Sequence, residues 1–231
     1  HNYNFARNCS CGTANNPTRM QPARINYTVG TYFGQVLQVD TKHFLRKVDA
    51  NKCKSNQYQH TVVAVDDWSS YAFCYHLKDR LDIHKPDGFI SNIYHRVKAL
   101  GGTIEVIRLD FAPEQFSQTE WSQLIQDFKK ECAEHGIALE AGEKSNHNRC
   151  AKAEQCIGSA LSRTRSMLTH AQIPANLSIV FHAFAEAIRI MNETPSRGIL
   201  NGDGKEISPY VKVLNKVPKP HSHKQVYFGD R

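Results

Sequence analysis

A short apolar run that ends on a carboxylate is the feature that most constrains the fold of this chain. The run spans 104–109, reads Ile-Glu-Val-Ile-Arg-Leu and is followed directly by Asp110. Its β-branched character predicts a strand buried in a sheet, and an acid at a strand end stands where side chains leave the core. That position suits a metal ligand, although Asp also caps helices and closes turns. Other acids in matching positions therefore decide between these roles.

Alternating and helical apolar patterns predict the secondary structure along the chain. The predicted strands lie at 35–40, 58–65, 71–77, 104–109 and 137–139. The predicted helices lie at 85–100, 117–135, 150–171 and from Pro174 onward. The second and third strands flank a short turn at 66–70, which is typical of a hairpin. The order β-β-β-α-β-α-β-α-α predicts an α/β fold with a mixed sheet and helices against it.

Composition and charge narrow the class of protein. With 231 residues, 40% hydrophobic and 22% charged, the chain is long and apolar enough to bury a core. A formal net charge of +7 favours anionic partners such as nucleic acid, although such an excess also serves solubility alone. The seven cysteines are irregularly spaced and no secretory signal opens the chain, which predicts reduced thiols in an intracellular protein. No apolar run is long enough to span a membrane, and a start at His1 indicates a fragment or a processed piece.

Three acids occupy positions that would bring them together if the first and fourth strands are neighbours. Asp40 ends the first predicted strand, Asp110 ends the fourth, and Glu154 lies in the first turns of the long helix after the fifth. Clustered carboxylates repel one another and are best tolerated around a divalent cation, for which Mg²⁺ or Mn²⁺ fits the hard oxygen ligands. Two such ions suit an in-line phosphoryl transfer. Because Asp and Glu total 22, spacing alone leaves other triplets open.

A series of motifs occurs in order between residues 30 and 229. They are Val39-Asp40, VDDWSSY at 65–71 with YHLK at 75–78, Leu109-Asp110 with Glu114 and Phe116, Cys132 with Gly136-Ile137, RSML at 165–168, Ile173-Pro174, 183–192 with Pro195, SPY at 208–210 and VYFG at 226–229. Together they resemble the catalytic core of an integrase from a copia-type LTR retrotransposon. These integrases form part of the DDE, retroviral-integrase-like branch of the ribonuclease H-like superfamily.

The resemblance implies a fold and a division of the chain. The fold is a ribonuclease H-like mixed five-stranded sheet with helices on both faces. Residues 31–195 would form the catalytic core and 196–231 its C-terminal extension. Residues 1–30 would be a linker with the remnant of an N-terminal zinc-binding module, in which Cys9 and Cys11 remain from a Cys pair. Their C-x-C spacing is tighter than the usual structural zinc spacing, so the residues by themselves favour two free thiols in a loop.

The resemblance also implies an activity and selects the third acid. Counting back from 165–168 and forward from Gly136-Ile137 both lead to Glu154, whereas Glu140 and Glu143 fit neither count and are interpreted as solvated loop charges. Asp40, Asp110 and Glu154 would hold two Mg²⁺ or Mn²⁺ ions and need no small-molecule cofactor. The protein would trim a 3′ end of element DNA and join it to target DNA. The resemblance further implies a homo-oligomer without membrane attachment, acting in the nucleus after a cytoplasmic particle stage.

Departures from the family pattern keep alternatives open. The chain reads Asp110-Phe111-Ala112 where the family usually has Asp-Asn-Gly, and 146–151 replaces a Pro-Gln-x-Asn-Gly loop. One alternative is a ribonuclease H-like nuclease that cuts without joining. The other is a decayed or domesticated core that binds nucleic acid or a protein partner.

Basic residues flank the predicted site, and further polar residues have structural interpretations. The predicted nucleic-acid contacts are Lys144, Arg149, Lys152 and Arg165, with Arg163 beside them; each is alternatively a solvated charge. Asp66 and Asp67 are interpreted as turn formers. His60 and His76 are interpreted as packed or half-exposed strand residues rather than ligands, and Trp68 as a core residue rather than a base-stacking platform.

Overall fold

The computed structural model describes residues 28–44, 58–78, 88–109, 118–141, 150–172 and 177–218. The strands are β1 Val36–His43, β2 His60–Asp66, β3 Ala72–Leu77, β4 Val106–Leu109 and β5 Ala138–Ala141. The helices are α1 Phe89–Ala99, α2 Gln118–Glu134, α3 Ala151–His170, α4 Leu177–Glu193 and α5 Pro209–Leu214. Within these ranges, no helix combines the length and the apolar character needed to cross a membrane. Cys9, Cys11 and the domain boundary at residue 31 remain predictions, because the first 27 residues lie outside the described part.

The five strands form one mixed sheet in the order β3-β2-β1-β4-β5. β1, β2 and β3 pair antiparallel, as the predicted hairpin requires. β1 and β4 pair parallel, and so do β4 and β5. The prediction of a mixed five-stranded sheet is therefore confirmed, and the first and fourth strands are neighbours, which is the condition set for the three acids.

Helices cover both faces of the sheet, and each face has its own apolar core. Side chains of a strand alternate between the two faces. Leu37 and Val39 of β1 pack with Ile93 of α1 and Phe128 of α2. On the other face, Val63 and Val65 of β2 pack with residues of α3 and α4, namely Ala153, Cys156, Ile157, Ala160, Phe184, Ala187 and Ile188. The prediction of helices on both faces is confirmed.

The first strand does not end at Asp40, and that part of the prediction was wrong. β1 continues to His43 because β2 keeps pairing with it, from Asp40 opposite Val63 to His43 opposite His60. The polar composition of Thr41 to His43 concealed this extension. An antiparallel pair tolerates polar side chains, since one face can meet water.

A short helix in the C-terminal part was not predicted. α5 begins after Ser208, whose side chain accepts a hydrogen bond from the Val211 amide at 3.2 Å, and Pro209 occupies its first turn. Ser followed by Pro is a common start for a helix. The signal was therefore present in the sequence, but six residues carry too little periodicity to predict a helix.

Candidate functional site

The parallel pairing of β1 with β4 leads directly to Asp40. The last described pair is Val39 opposite Leu109, so Asp40 is the next residue of β1. Asp110 follows Leu109 in the sequence but lies outside the described residues. The convergence of these two acids therefore stays a prediction, supported by the register of the residues that precede them.

Asp40 lies on the sheet face that α3 and α4 cover. It is half-buried, it alternates with Val39, which faces the other core, and it lies opposite Val63, which packs under α3 and α4. One of its carboxylate oxygens accepts a hydrogen bond from the Thr41 amide at 2.7 Å. The strand thus places this carboxylate under the helices that follow β5 in the chain.

The first turn of α3 is anchored on the β1–β4 pair. The Lys152 amide donates to Gln38 Oε1 at 3.0 Å, and Cys150 Sγ donates to the Arg108 carbonyl at 3.4 Å. Gln38 and Arg108 are themselves opposite one another in the sheet. Glu154 lies in this same first turn and is exposed. α3 therefore starts above the strand pair that leads to Asp40 and carries Glu154 on that side of the sheet.

Gln38 and Asp67 form a polar link that the sequence analysis missed. Gln38 Nε2 donates to Asp67 Oδ1 at 2.8 Å, and Lys152 Nζ lies 3.3 Å from the same oxygen. Lys152 Nζ also donates to the Asp67 carbonyl, and Asp67 Oδ2 accepts from the Gly30 amide at 2.9 Å. The signal that would have identified this link is the polar Gln38 between Leu37 and Val39, because a buried amide needs partners.

Asp66 is confirmed as a turn former, with a further role. It is buried, and it accepts hydrogen bonds from the Ser69 amide at 2.7 Å, the Ser69 hydroxyl at 2.5 Å and the Gly34 amide at 2.8 Å. Burial raises the pKa of Asp66, although these hydrogen bonds oppose that shift. The carboxylate thus joins the hairpin turn to the turn before β1.

Glu140 is not a solvated loop charge, and that interpretation was wrong. It lies in β5, opposite Arg108, and its Oε2 is 2.9 Å from Arg108 Nε. Arg108 is buried and also donates to the Thr28 carbonyl at 2.9 Å. A buried guanidinium requires such partners. The strand that carries Glu140 continues to Ala141, past the predicted end at 139. Glu143 lies outside the described residues.

Two of the four predicted nucleic-acid contacts fall in the described part. The ammonium of Lys152 is half-exposed and paired with Asp67, whereas Arg165 is exposed on α3. Lys144 and Arg149 lie outside the described residues. Contact with nucleic acid stays a prediction for all four.

The donor chemistry of the described acids fits a hard divalent cation, but the set is incomplete. Among the described residues, no group of three or more His, Cys, Asp or Glu side chains is arranged to hold a metal ion. Of the predicted ligands, only Asp40 and Glu154 are described, and both offer carboxylate oxygens, which Mg²⁺ and Mn²⁺ prefer. The predicted triad thus stays a prediction that depends on Asp110.

The sheet order, the mixed pairing and the helices on both faces define the ribonuclease H-like fold of retroviral integrase cores. The chain is similar to a chain of a simian T-cell lymphotropic virus intasome in complex with the PP2A regulatory subunit B56 gamma, at 18% identity and a TM-score of 0.56. That similarity covers 94% of this chain and 68% of the other.

A second similar structure is the HTLV-2 integrase catalytic core domain in complex with magnesium, in a dimeric form. Its identity is 17%, the coverage is 80% of this chain and 99% of the other, and the TM-score is 0.49. No protein-family profile and no curated protein matches the chain. The similarity to the intasome chain therefore shows the fold, while the copia-type branch stays a prediction.

Proposed function

We propose that this protein is a metal-dependent polynucleotidyl transferase that acts in DNA integration. The observation that carries the proposal is the anchoring of α3 on Gln38 and Arg108, which puts Glu154 on the sheet face that bears Asp40. The similarity of the fold to an intasome component supports the same function. Trimming a 3′ end and joining it to target DNA are both attacks on a phosphodiester, so one site serves both.

Asp40, Asp110 and Glu154 are the proposed ligands of two Mg²⁺ or Mn²⁺ ions. Such ions supply Lewis-acid stabilisation of the phosphate charge and lower the pKa of bound water. Asp40 lies on β1 and Glu154 on α3, and α3 is held in place through Gln38 and Cys150. No covalent bond between enzyme and DNA is required, because the attacking groups are water and the 3′-OH.

Basic side chains close to Glu154 in the sequence are the proposed contacts to DNA. Lys144, Arg149, Lys152 and Arg165 would offset phosphate charge without reading the base sequence. A net charge of +7 supports a polyanionic partner. Joining two element ends to one target is best served by a homo-oligomer, which is part of the proposal.

The test is a strand-transfer assay with Mn²⁺ and paired DNA ends. Asp40→Asn, Asp110→Asn and Glu154→Gln should each reduce the rate by about 1,000-fold, which corresponds to about 4 kcal/mol of transition-state stabilisation. Glu134→Gln removes one exposed carboxylate from α2, on the other side of the sheet, and should keep the wild-type rate. Full activity of Asp40→Asn or Asp110→Asn would rule out this mechanism. Hydrolysis without joining would point instead to a ribonuclease H-like nuclease.

A further inference from the structure

A cleft of about 460 Å³ opens between the β2–β3 turn, α3 and the segment that follows α4. Lys152 and Arg163 line it from α3, and Arg197 lines it from the segment that follows α4. Glu154 is not among its lining residues, since it projects from another side of α3. The described lining of the cleft therefore contains neither Asp40 nor Glu154.

One stripe of α3 forms a long wall of this cleft. Lys152, Gln155, Ser159 and Arg163 follow one another at steps of three and four residues, so they share one side of the helix. At a rise of about 1.5 Å per residue, Lys152 and Arg163 start about 16 Å apart along the axis. The cleft thus presents cations at both ends of an elongated wall.

The charge of the cleft is positive and only partly compensated. Its described lining contains no Asp or Glu. Cys156 is the most acidic lining group, and burial raises its pKa to about 12, so the thiol is neutral. Asp67 offsets Lys152. By contrast, Arg163 and Arg197 are exposed and form no ion pair with any described residue.

A fourth cation, Lys212, lies next to the cleft, and its pKa is affected by the charge of Lys152. Lys212 Nζ donates to the Trp68 carbonyl at 2.6 Å and lies 4.4 Å from the centroid of the Trp68 ring, and Trp68 lines the cleft. Burial and the positive charge of Lys152 both lower the pKa of Lys212. An anion in the cleft would relieve this repulsion.

The walls of the cleft are held in a fixed geometry. Asn192 is buried, and its side-chain amide accepts from the Ala72 amide and donates to the Ala72 carbonyl, both at 2.8 Å. This pair of bonds ties the end of α4 to the start of β3. The segment with Ser196 and Arg197 follows directly and bonds back to Ile207 through the Ser196 amide at 3.3 Å. A ligand therefore meets a preformed site, which reduces the ordering cost of binding.

We propose that this cleft binds a ligand carrying more than one phosphate group, with Arg163 and Arg197 as the principal contacts. Guanidinium groups match phosphate oxygens in a bidentate geometry, and hydroxyl groups such as those of Ser159 and Ser196 add donors. Two sources share this chemistry: the backbone of a nucleic-acid strand and an inorganic polyphosphate. Binding needs no metal ion, so it extends beyond the function proposed for Asp40, Asp110 and Glu154.

The test measures binding in the presence of EDTA, which removes divalent cations and so prevents metal-dependent cleavage or joining. One arm follows a labelled single-stranded oligonucleotide by fluorescence anisotropy, and the other follows tripolyphosphate by calorimetry. The double variant Arg163→Gln with Arg197→Gln should lower the affinity for each ligand by about 10-fold or more. For the oligonucleotide, the slope of log K against log salt concentration should become shallower by about 1.4, at about 0.7 for each lost phosphate contact. Arg163→Lys with Arg197→Lys should recover part of the affinity.

The matched control removes the same charge elsewhere. Lys129 and Lys130 are exposed on α2, on the opposite side of the sheet, so Lys129→Gln with Lys130→Gln should bind like wild type. A loss confined to one arm supports the cleft and identifies the source of the phosphates. No loss in either arm, or an equal loss in the control, would overturn the proposal. Asp40→Asn should retain full binding in EDTA even where strand transfer fails, which separates this inference from the proposed activity.

Discussion

Several polar side chains buried in the sheet have specific partners. Gln38 bonds to Asp67 and to the start of α3, and Arg108 pairs with Glu140. His76 shares a hydrogen bond of 2.7 Å with the Thr61 hydroxyl. An unpaired buried polar group costs about 1–3 kcal/mol, so these pairs determine which elements lie together. The interpretation of His60 and His76 as packed or half-exposed strand residues is confirmed. His60 is buried and stacked on His43 at 4.4 Å between ring centroids, and His76 is half-buried.

His76 should make the stability of the protein depend on pH below neutrality. Burial and the charge of His182 lower its pKa from 6.5 to about 4. Protonation of His76 then favours the unfolded chain. The contribution of neutral His76 to the free energy of unfolding is fully present above about pH 6.5 and is lost as the pH falls toward 4. After allowance for its partial exposure, we expect a loss of roughly 2 kcal/mol.

His76→Gln tests this prediction, because Gln can still bond to Thr61 and does not titrate in this range. Urea denaturation across the pH range should show a smaller loss of unfolding free energy in His76→Gln than in wild type. His170→Gln changes an exposed histidine in the last turn of α3 and should keep the wild-type dependence. Identical pH profiles for His76→Gln and wild type would contradict the assignment.

At the scale of the element, the start of α3 depends on tertiary contacts. Cys150 at its N-terminal boundary makes no side-chain capping bond. Instead, Gln38 accepts from the Lys152 amide, and Cys150 bonds to the Arg108 carbonyl. The first amides of a helix have no partner within the helix, and the sheet supplies a partner for the Lys152 amide. The position of Glu154 therefore depends on Gln38.

Gln38→Leu should weaken the first turn of α3. The substitution keeps the volume but leaves the Lys152 amide and an Asp67 oxygen without this partner, at an expected cost of about 2 kcal/mol. Hydrogen exchange should become faster at the first-turn amides of α3 than at those of its middle. Gln126→Leu alters an exposed residue of α2 and serves as the control. Unchanged exchange in the first turn of Gln38→Leu would refute the anchoring role.

At the scale of the whole molecule, the sheet separates two apolar cores. Ile93 of α1 is buried in one, and Ile188 of α4 is buried in the other. The backbone layer of the sheet prevents their side chains from sharing neighbours. Packing changes on one face should therefore leave the other face unaffected.

Ile93→Val and Ile188→Val test the independence of the two cores. Each should lower the free energy of unfolding by about 1 kcal/mol. The double variant should lower it by the sum of the two, to within about 0.5 kcal/mol. Urea denaturation of the four proteins measures the coupling directly. A coupling well above that limit would show that the cores communicate through the sheet.

The sequence by itself determined the order of the elements, the hairpin and the helices packed on the sheet. Alternation and helical spacing are local patterns, and each is readable within about ten residues. Asp66 was interpreted correctly as a turn former for the same reason, since a turn involves neighbouring residues. Trp68 packs against a core, as predicted. The resemblance carried by ordered motifs added the ribonuclease H-like fold, which the sheet order confirms.

Only the tertiary structure decided where β1 ends, which residue pairs with Glu140 and which residue accepts the hydrogen bond of the Lys152 amide at the start of α3. Gln38 and Lys152 are 114 residues apart, and Arg108 and Glu140 are 32 apart. Such pairs form only after strands and helices pack, and no local pattern encodes which of many polar residues will meet. The cleft with Arg163 and Arg197 is of the same kind, because its walls come from elements that are distant in the chain. Local patterns select elements, whereas long-range packing of buried polar groups selects their contacts.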